Sequence, residues 1–118
     1  IGSPGMNVIP AEISGTQAVV NGTALTLQQN YGAPTGNVAL GVRPEFVSLT
    51  KGDGLPVKVR RVEDVGRHKI VRADLFGKEI NIVSPEGQEI SPDMNHITFA
   101  PDHVNVYVND WRQQGAAA

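Results

Sequence analysis

Thirteen glycines and eight prolines punctuate this 118-residue sequence, so that no stretch of ten residues keeps a helical apolar period. Short alternating runs dominate instead. Alternation of apolar and polar residues marks a half-buried strand. In residues 18–27, "AVVNGTALTL", Asn21 and Gly22 sit between apolar flanks, a strong hairpin signal. In residues 37–42, "NVALGV", Val38, Leu40 and Val42 share one face. Residues 55–65, "LPVKVRRVEDV", begin with Val57 and Val59 inward and then slip parity to Val62, which predicts a bulge near Arg60 and Arg61 or a strand buried partly on both faces. Residues 68–83 read as a second hairpin turning at Phe76 and Gly77, with Ile80 and Ile82 on one face. Residues 84–93 read as a polar turn region, and 96–99 and 104–108 as two further strands. The expectation is about eight to ten short strands in an all-β fold, a small barrel or sandwich.

A weak repeat runs through the chain. Residues 38–49, "VALGVRPEFVSL", align with residues 95–106, "NHITFAPDHVNV". Leu40 matches Ile97, Val42 matches Phe99, Val47 matches Val104, and Leu49 matches Val106. Pro44 aligns with Pro101, and Glu45 with Asp102. Arg43 and Ala100 each precede a proline, which forces them into extended backbone. The proline then fixes φ and offers no N–H, so each strand must stop there. An acid beside the proline suits the exposed N–H groups of a following helical turn. Each half is thus expected to carry one strand–corner–strand unit. Because the second corner has Ala100 where the first has Arg43, the turn itself needs no cation. Arg43 is the candidate for a contact elsewhere, or for an ion pair between halves, and Glu45 joins it as a candidate contact.

Taken in order, "IGSPGMN", "LGVRPEFVSL", "VRRVEDVGRHKIVRADLFG" and "FAPDHVNVYV" resemble the C-terminal regulatory region of bacterial ABC-importer ATPases, in the carbohydrate and polyol branch typified by the maltose importer ATPase. The resemblance covers Ile1 to about Trp111. It implies an OB-like β-barrel module (a TOBE domain) of two related halves, at about 1–54 and 55–112, within a single domain over 1–112, with 113–118 as a disordered tail. It also implies that Ser3, Pro4, Met6 and Asn7 belong to the segment leaving the ATPase domain. Gly41, Arg43, Pro44 and Glu45 form the "GxRPE" corner, and Val62, Glu63 and Gly66 a "VxxxG" element. The implied partners are a second copy of the chain, an N-terminal ATPase domain, membrane permease subunits, and a regulatory protein or small ligand. No nucleic acid is expected. ATP and magnesium would belong to the ATPase domain, with no cofactor in this part. The implied location is cytoplasmic, peripheral to the inner membrane. Two departures stand out: Phe46 occupies a position where many members carry histidine, and "SPGMN" lacks the "SARN"-like stretch of oxyanion-binding relatives.

The residues narrow the chemistry further. With 40% apolar and 19% charged residues and a net charge of −2, the composition does not favour nucleic acid or an anionic membrane. Without cysteine, disulfides and thiolate metal sites are excluded. No apolar run approaches the ~20 residues of a membrane-spanning helix. The start without methionine and the final "GAAA" read as cut ends, with an N-terminal partner domain expected upstream. The Gly77-Lys78 pair is followed by Glu79, where a phosphate loop needs a hydroxyl, so it reads as a hairpin tip. His68, His96 and His103 show no metal-ligand spacing, and His103 is expected to cap the Pro101 corner or face solvent. Glu63 and Asp64 read as solvated surface. Residues 51–78 hold eight of the ten basic residues against four acids, a net +4, and the remainder carries −6. Such a division suits a two-fold interface in which each patch meets its opposite. Two rival readings remain open: a free-standing oxyanion or small-ligand binding barrel, and an OB-fold nucleic-acid module, for which the basic segment offers only Phe76 as a stacking aromatic.

Overall fold

Alternation becomes ladders throughout the computed structural model, which describes residues 5–118. Ser3 and Pro4 therefore lie outside the described residues. The chain opens with β1 (Asn7–Pro10), β2 (Glu12–Ser14), β3 (Gln17–Val20), β4 (Thr23–Thr26) and β5 (Gln29–Asn30). The first corner joins β6 (Val38–Val42) to β7 (Val47–Thr50). Next come β8 (Leu55–Pro56), β9 (Lys58–Asp64), β10 (His68–Leu75) and β11 (Lys78–Pro85). The second corner joins β12 (His96–Phe99) to β13 (Asn105–Val108), and β14 (Trp111–Arg112) and β15 (Ala116–Ala117) close the chain.

The fifteen strands among the described residues exceed the expected number because four of them (β5, β8, β14 and β15) are two-residue pairings too short to show alternation. The strands β1 and β2 also went unread, since Pro10 interrupts the run. Proline is tolerated there because β1 lies at the edge of its sheet, in the order β1-β6-β13-β14.

Both hairpins turn where the sequence places them. Asn21 (φ 44°) and Gly22 (φ 86°) link β3 to β4, and Phe76 (φ 49°) and Gly77 (φ 87°) link β10 to β11. Paired positive φ values give the turn twist that two-residue hairpins require. The bulge is present too. Arg72 faces Arg61 and the next residue, Ala73, faces Val59, leaving Arg60 unpaired. Val62 departs from expectation. It lies opposite Val71 on the inward side, but β9 is the outer strand of its sheet and nothing packs over that position, so it remains 44% exposed. Ser84 belongs to β11 and is buried, rather than opening the polar turn.

Leu40, Val42, Leu49, Ile80, Ile82, Ile97 and Val106 form the middle of one apolar cluster. The two strand–corner–strand units build it by pairing crosswise. β6 pairs with β13, Leu40 facing Val106, while β7 pairs with β12, Leu49 facing Ile97. Each corner thus carries its chain from one shared sheet to another. The expected tail is ordered: Ala116 and Ala117 pair with Asn30 and Gln29. Gly115 permits this, because a Cβ there would lie 2.5 Å from Gln29 Cβ.

Candidate functional site

The corner at residues 43–46 is built from backbone. Arg43 is extended (φ −73°, ψ 148°), as its proline neighbour demands, and Pro44–Phe46 make one turn of 3-10 helix. The Phe46 amide donates to the Arg43 carbonyl at 2.9 Å. The second corner repeats the arrangement over Pro101–His103, with the His103 amide donating to the Ala100 carbonyl at 3.0 Å. The corners also touch. The Ala100 amide donates to the Phe46 carbonyl at 2.9 Å, and the Phe46 ring stacks on His103 at 3.6 Å between centroids. His103 is therefore half of an inter-corner stack, with Asp102 Oδ2 3.6 Å from its Nε2; it does not cap the corner and is exposed to solvent, the second of the two expectations. Phe46 supplies the flat partner that this stack needs.

Gly41 and Pro44 are both buried. A Cβ on Gly41 would lie 2.4 Å from Tyr107 Cε1, so the glycine lets the tyrosine ring lie across β6. Arg43 and Glu45 point outward and are exposed. Among the described residues, neither makes an ion pair or a side-chain hydrogen bond. Glu45 borders a small cleft of about 100 Å³ together with Ser48, Ser84 and Gln88. The Ser84 hydroxyl there is buried without a partner. Because the turn closes through its main chain, Arg43→Ala is expected to leave the melting temperature nearly unchanged. Pro44→Gly should lower it, since glycine frees φ in the unfolded chain and empties a buried position. Thermal unfolding of both variants checks this, and equal losses would make Arg43 a structural partner.

Asn7 behaves differently from the rest of its segment. It faces Val42 across the ladder, one residue from Arg43, yet its side chain turns inward. Its Nδ2 donates to the Asn81 carbonyl at 2.8 Å, and its Oδ1 accepts the Asn81 amide at 2.8 Å. These two bonds tie β1 to β11. The Asn81 side chain continues the link, accepting from Arg72 at 3.1 Å, while Arg72 Nε donates to Glu63 at 2.9 Å. Glu63 is thus half-buried and bonded, not solvated surface. The Arg72 hydrogen bond holds its carboxyl below the ordinary carboxylate range, and Glu63 in turn raises the Arg72 guanidinium. A lowered folded-state value means that this stabilisation is present above the ordinary carboxylate pKa and fades as pH falls through the lowered one. Asn7→Ala removes both bonds and strands a main-chain donor of β11. A loss of about 1–3 kcal/mol in urea unfolding is expected.

Sequence reasoning missed this chain of side chains because its members are separated by up to 74 residues. The basic segment keeps part of its excess. Arg60 pairs with Asp74, and Arg61 and Arg72 with Glu63. No ion pair is made by Lys58, Arg67, Lys69 or Lys78 among the described residues. Gly77 and Lys78 are a hairpin tip, with Lys78 paired to Leu75 across the ladder. Among the described residues, no helix is long and apolar enough to cross a membrane.

The all-β fold, with its two proline corners in contact through the Ala100 amide and the Phe46–His103 stack, is a small barrel-like module. Residues 2–47 match the family described as the MalK OB fold domain. It is 35% identical over 82 residues to the sn-glycerol-3-phosphate import ATP-binding protein UgpC of Vibrio cholerae serotype O1, covering 67% of this chain and 22% of that protein. The UgpC protein of Ruegeria sp. strain TM1040 is 32% identical over 102 residues, 86% of this chain and 26% of its own length. The ABC transporter ATP-binding protein y4oS of Sinorhizobium fredii is 31% identical over 100 residues, 78% of this chain and 26% of its own length. The chain spans about a quarter of the length of these curated relatives.

Proposed function

We propose that this chain is a non-catalytic regulatory and dimerising domain of the ATP-binding subunit of an ABC importer for a sugar, polyol or related solute. The observation that carries the reading is the extent of the match: relatives align over most of this chain, which fills only about a quarter of their length. The remainder of such a subunit would hold the ATPase domain with its ATP and magnesium. The barrel would then act as a brace. It stays paired with a second copy while the ATPase domains open and close. Arg43 and Glu45 serve as contact or coupling residues, offered outward by a corner that does not need them. Permease subunits would place the assembly at the cytoplasmic side of the inner membrane. The names of the UgpC relatives favour a phosphorylated polyol as the solute.

The test uses the parent subunit with its permeases. The double variant Arg43→Ala/Glu45→Ala should keep its basal ATPase rate and lose solute-stimulated hydrolysis or its regulation. Deletion of the module should shift the parent from dimer to monomer in sedimentation without nucleotide. A deleted parent that remains dimeric and fully regulated removes the proposal, as does nucleotide hydrolysis by the purified 118-residue chain.

A further inference from the structure

The end of the chain builds a polar cleft that none of the corner residues reaches. Gln29, Tyr31, Asn105, Arg112, Gln113 and Gln114 line it, around a volume of about 360 Å³. That volume lies within the range of small-ligand sites. Three elements converge here. β13 presents Asn105 on its outward side, since Val106 beside it is fully buried. The tight turn after β13 returns the chain as β14 and places Arg112 opposite Tyr107. The pairing of β15 with β5 brings Gln29 and Tyr31 to the opposite wall.

Part of this wall is fixed. The Tyr31 hydroxyl donates to Gln29 Oε1 at 3.2 Å, and Gln113 Nε2 donates to the Trp111 carbonyl at 3.0 Å. The Gln113 amide also donates to the Val106 carbonyl at 2.8 Å, anchoring the strap to β13. The rest is uncommitted. Among the described residues, the side chains of Arg112, Asn105 and Gln114 have no hydrogen-bond or ion-pair partner. The lining holds one cation and no acid. The nearest acid in sequence, Asp110, borders a different cleft.

We propose that this cleft binds a small hydroxylated anion, Arg112 taking the phosphate or carboxylate group and the amides of Gln29, Asn105 and Gln114 taking the hydroxyls. A guanidinium presents a planar fork of donors that matches an oxyanion. A carboxamide both donates and accepts, which is what an alcohol hydroxyl requires. The Tyr31 ring gives the carbon skeleton an apolar wall. A neutral sugar would leave the guanidinium without a counter-charge, and a bare anion would leave the amides unused. The cleft stands on its own geometry and does not rest on the importer reading.

The test is a titration of the 118-residue chain at fixed ionic strength with glycerol 3-phosphate, glycerate, inorganic phosphate and glycerol. Isothermal calorimetry gives the binding signal, since Trp111 adjoins Arg112 in sequence but does not line the cleft. Side-chain amide shifts of Gln29, Asn105 and Gln114 provide the second readout. Saturable binding of glycerol 3-phosphate or glycerate is expected, the tighter of the two identifying the anionic group, with weaker binding of phosphate and none of glycerol. Arg112→Ala should weaken binding by about tenfold or more, and Arg112→Lys by less. Asn105→Ala should weaken the hydroxylated anions and leave phosphate unchanged. Arg112 is exposed, so its variants should retain the native amide spectrum elsewhere. The proposal fails if no anion saturates the signal, if glycerol binds as well as glycerol 3-phosphate, or if Arg112→Ala binds like the parent chain. Equal affinity for phosphate and glycerol 3-phosphate would overturn the role given to the amides.

Discussion

Gly54→Ala is expected to destabilise the barrel by roughly 2–4 kcal/mol, the sum of a left-handed backbone cost and a steric one. Gly54 has φ +94°, where a side chain is strained whatever the surroundings. The surroundings are also closed. A Cβ would sit 1.9 Å from the Ile97 carbonyl oxygen and 2.9 Å from Thr98 Cγ2. The first obstacle is main chain of β12, and Ile97 is held there between Leu49 of β7 and Leu55 of β8. No side-chain rotation relieves the contact, so the pairing of β8 with β12 must open. Urea unfolding should show a lower midpoint with an unchanged slope. Gly52→Ala serves as the control, because it lies in the same loop, has an ordinary φ and meets nothing within 4 Å. Equal stability of the two variants would show that the β8–β12 approach is loose.

Leu40→Ala should cost about 2–5 kcal/mol, the range for removing a large aliphatic side chain from a packed interior. Leu40 is fully buried in β6, between Ile9 of β1 and Val106 of β13. Both neighbours are held by ladders and cannot collapse into the space. Leu25→Ala on β4 should cost distinctly less, because Leu25 is only partly buried and its partner Ala18 is small. Parallel denaturant curves for the two variants make the comparison, and similar losses would contradict the placement of the core on β6.

Much of this architecture was legible because its signals are local. Asn21-Gly22 and Phe76-Gly77 turn as their flanking alternation requires, and the parity slip after Val59 marked the bulge at Arg60. The repeated proline corners were readable because a pre-proline residue and a proline restrict backbone whatever surrounds them. What stayed hidden depends on distant partners. Asn7 looked like part of a leading motif until Asn81 supplied both of its bonds. Glu63 looked solvated until Arg72 reached it, and the stack of His103 on Phe46 joins the two corners across the sequence. Residues 113–118 carry no pattern of their own, and Ala116 and Ala117 find their strand partner in β5. The polar cleft joins residues from 29 to 114, and no sequence spacing announces such a set.

The crosswise pairing of the two corner units has a kinetic consequence. Leu40 meets Val106 and Leu49 meets Ile97, so the central ladders join positions 66 and 48 residues apart. Distant pairings must bear the entropy of loop closure before they gain any contact, and chains built on them fold slowly for their size. The hairpin of β10 and β11, closed by a two-residue turn, can form on its own and early. During synthesis, β6 must leave the ribosome and wait, unpaired on the side that faces β13, until nearly the whole chain has emerged.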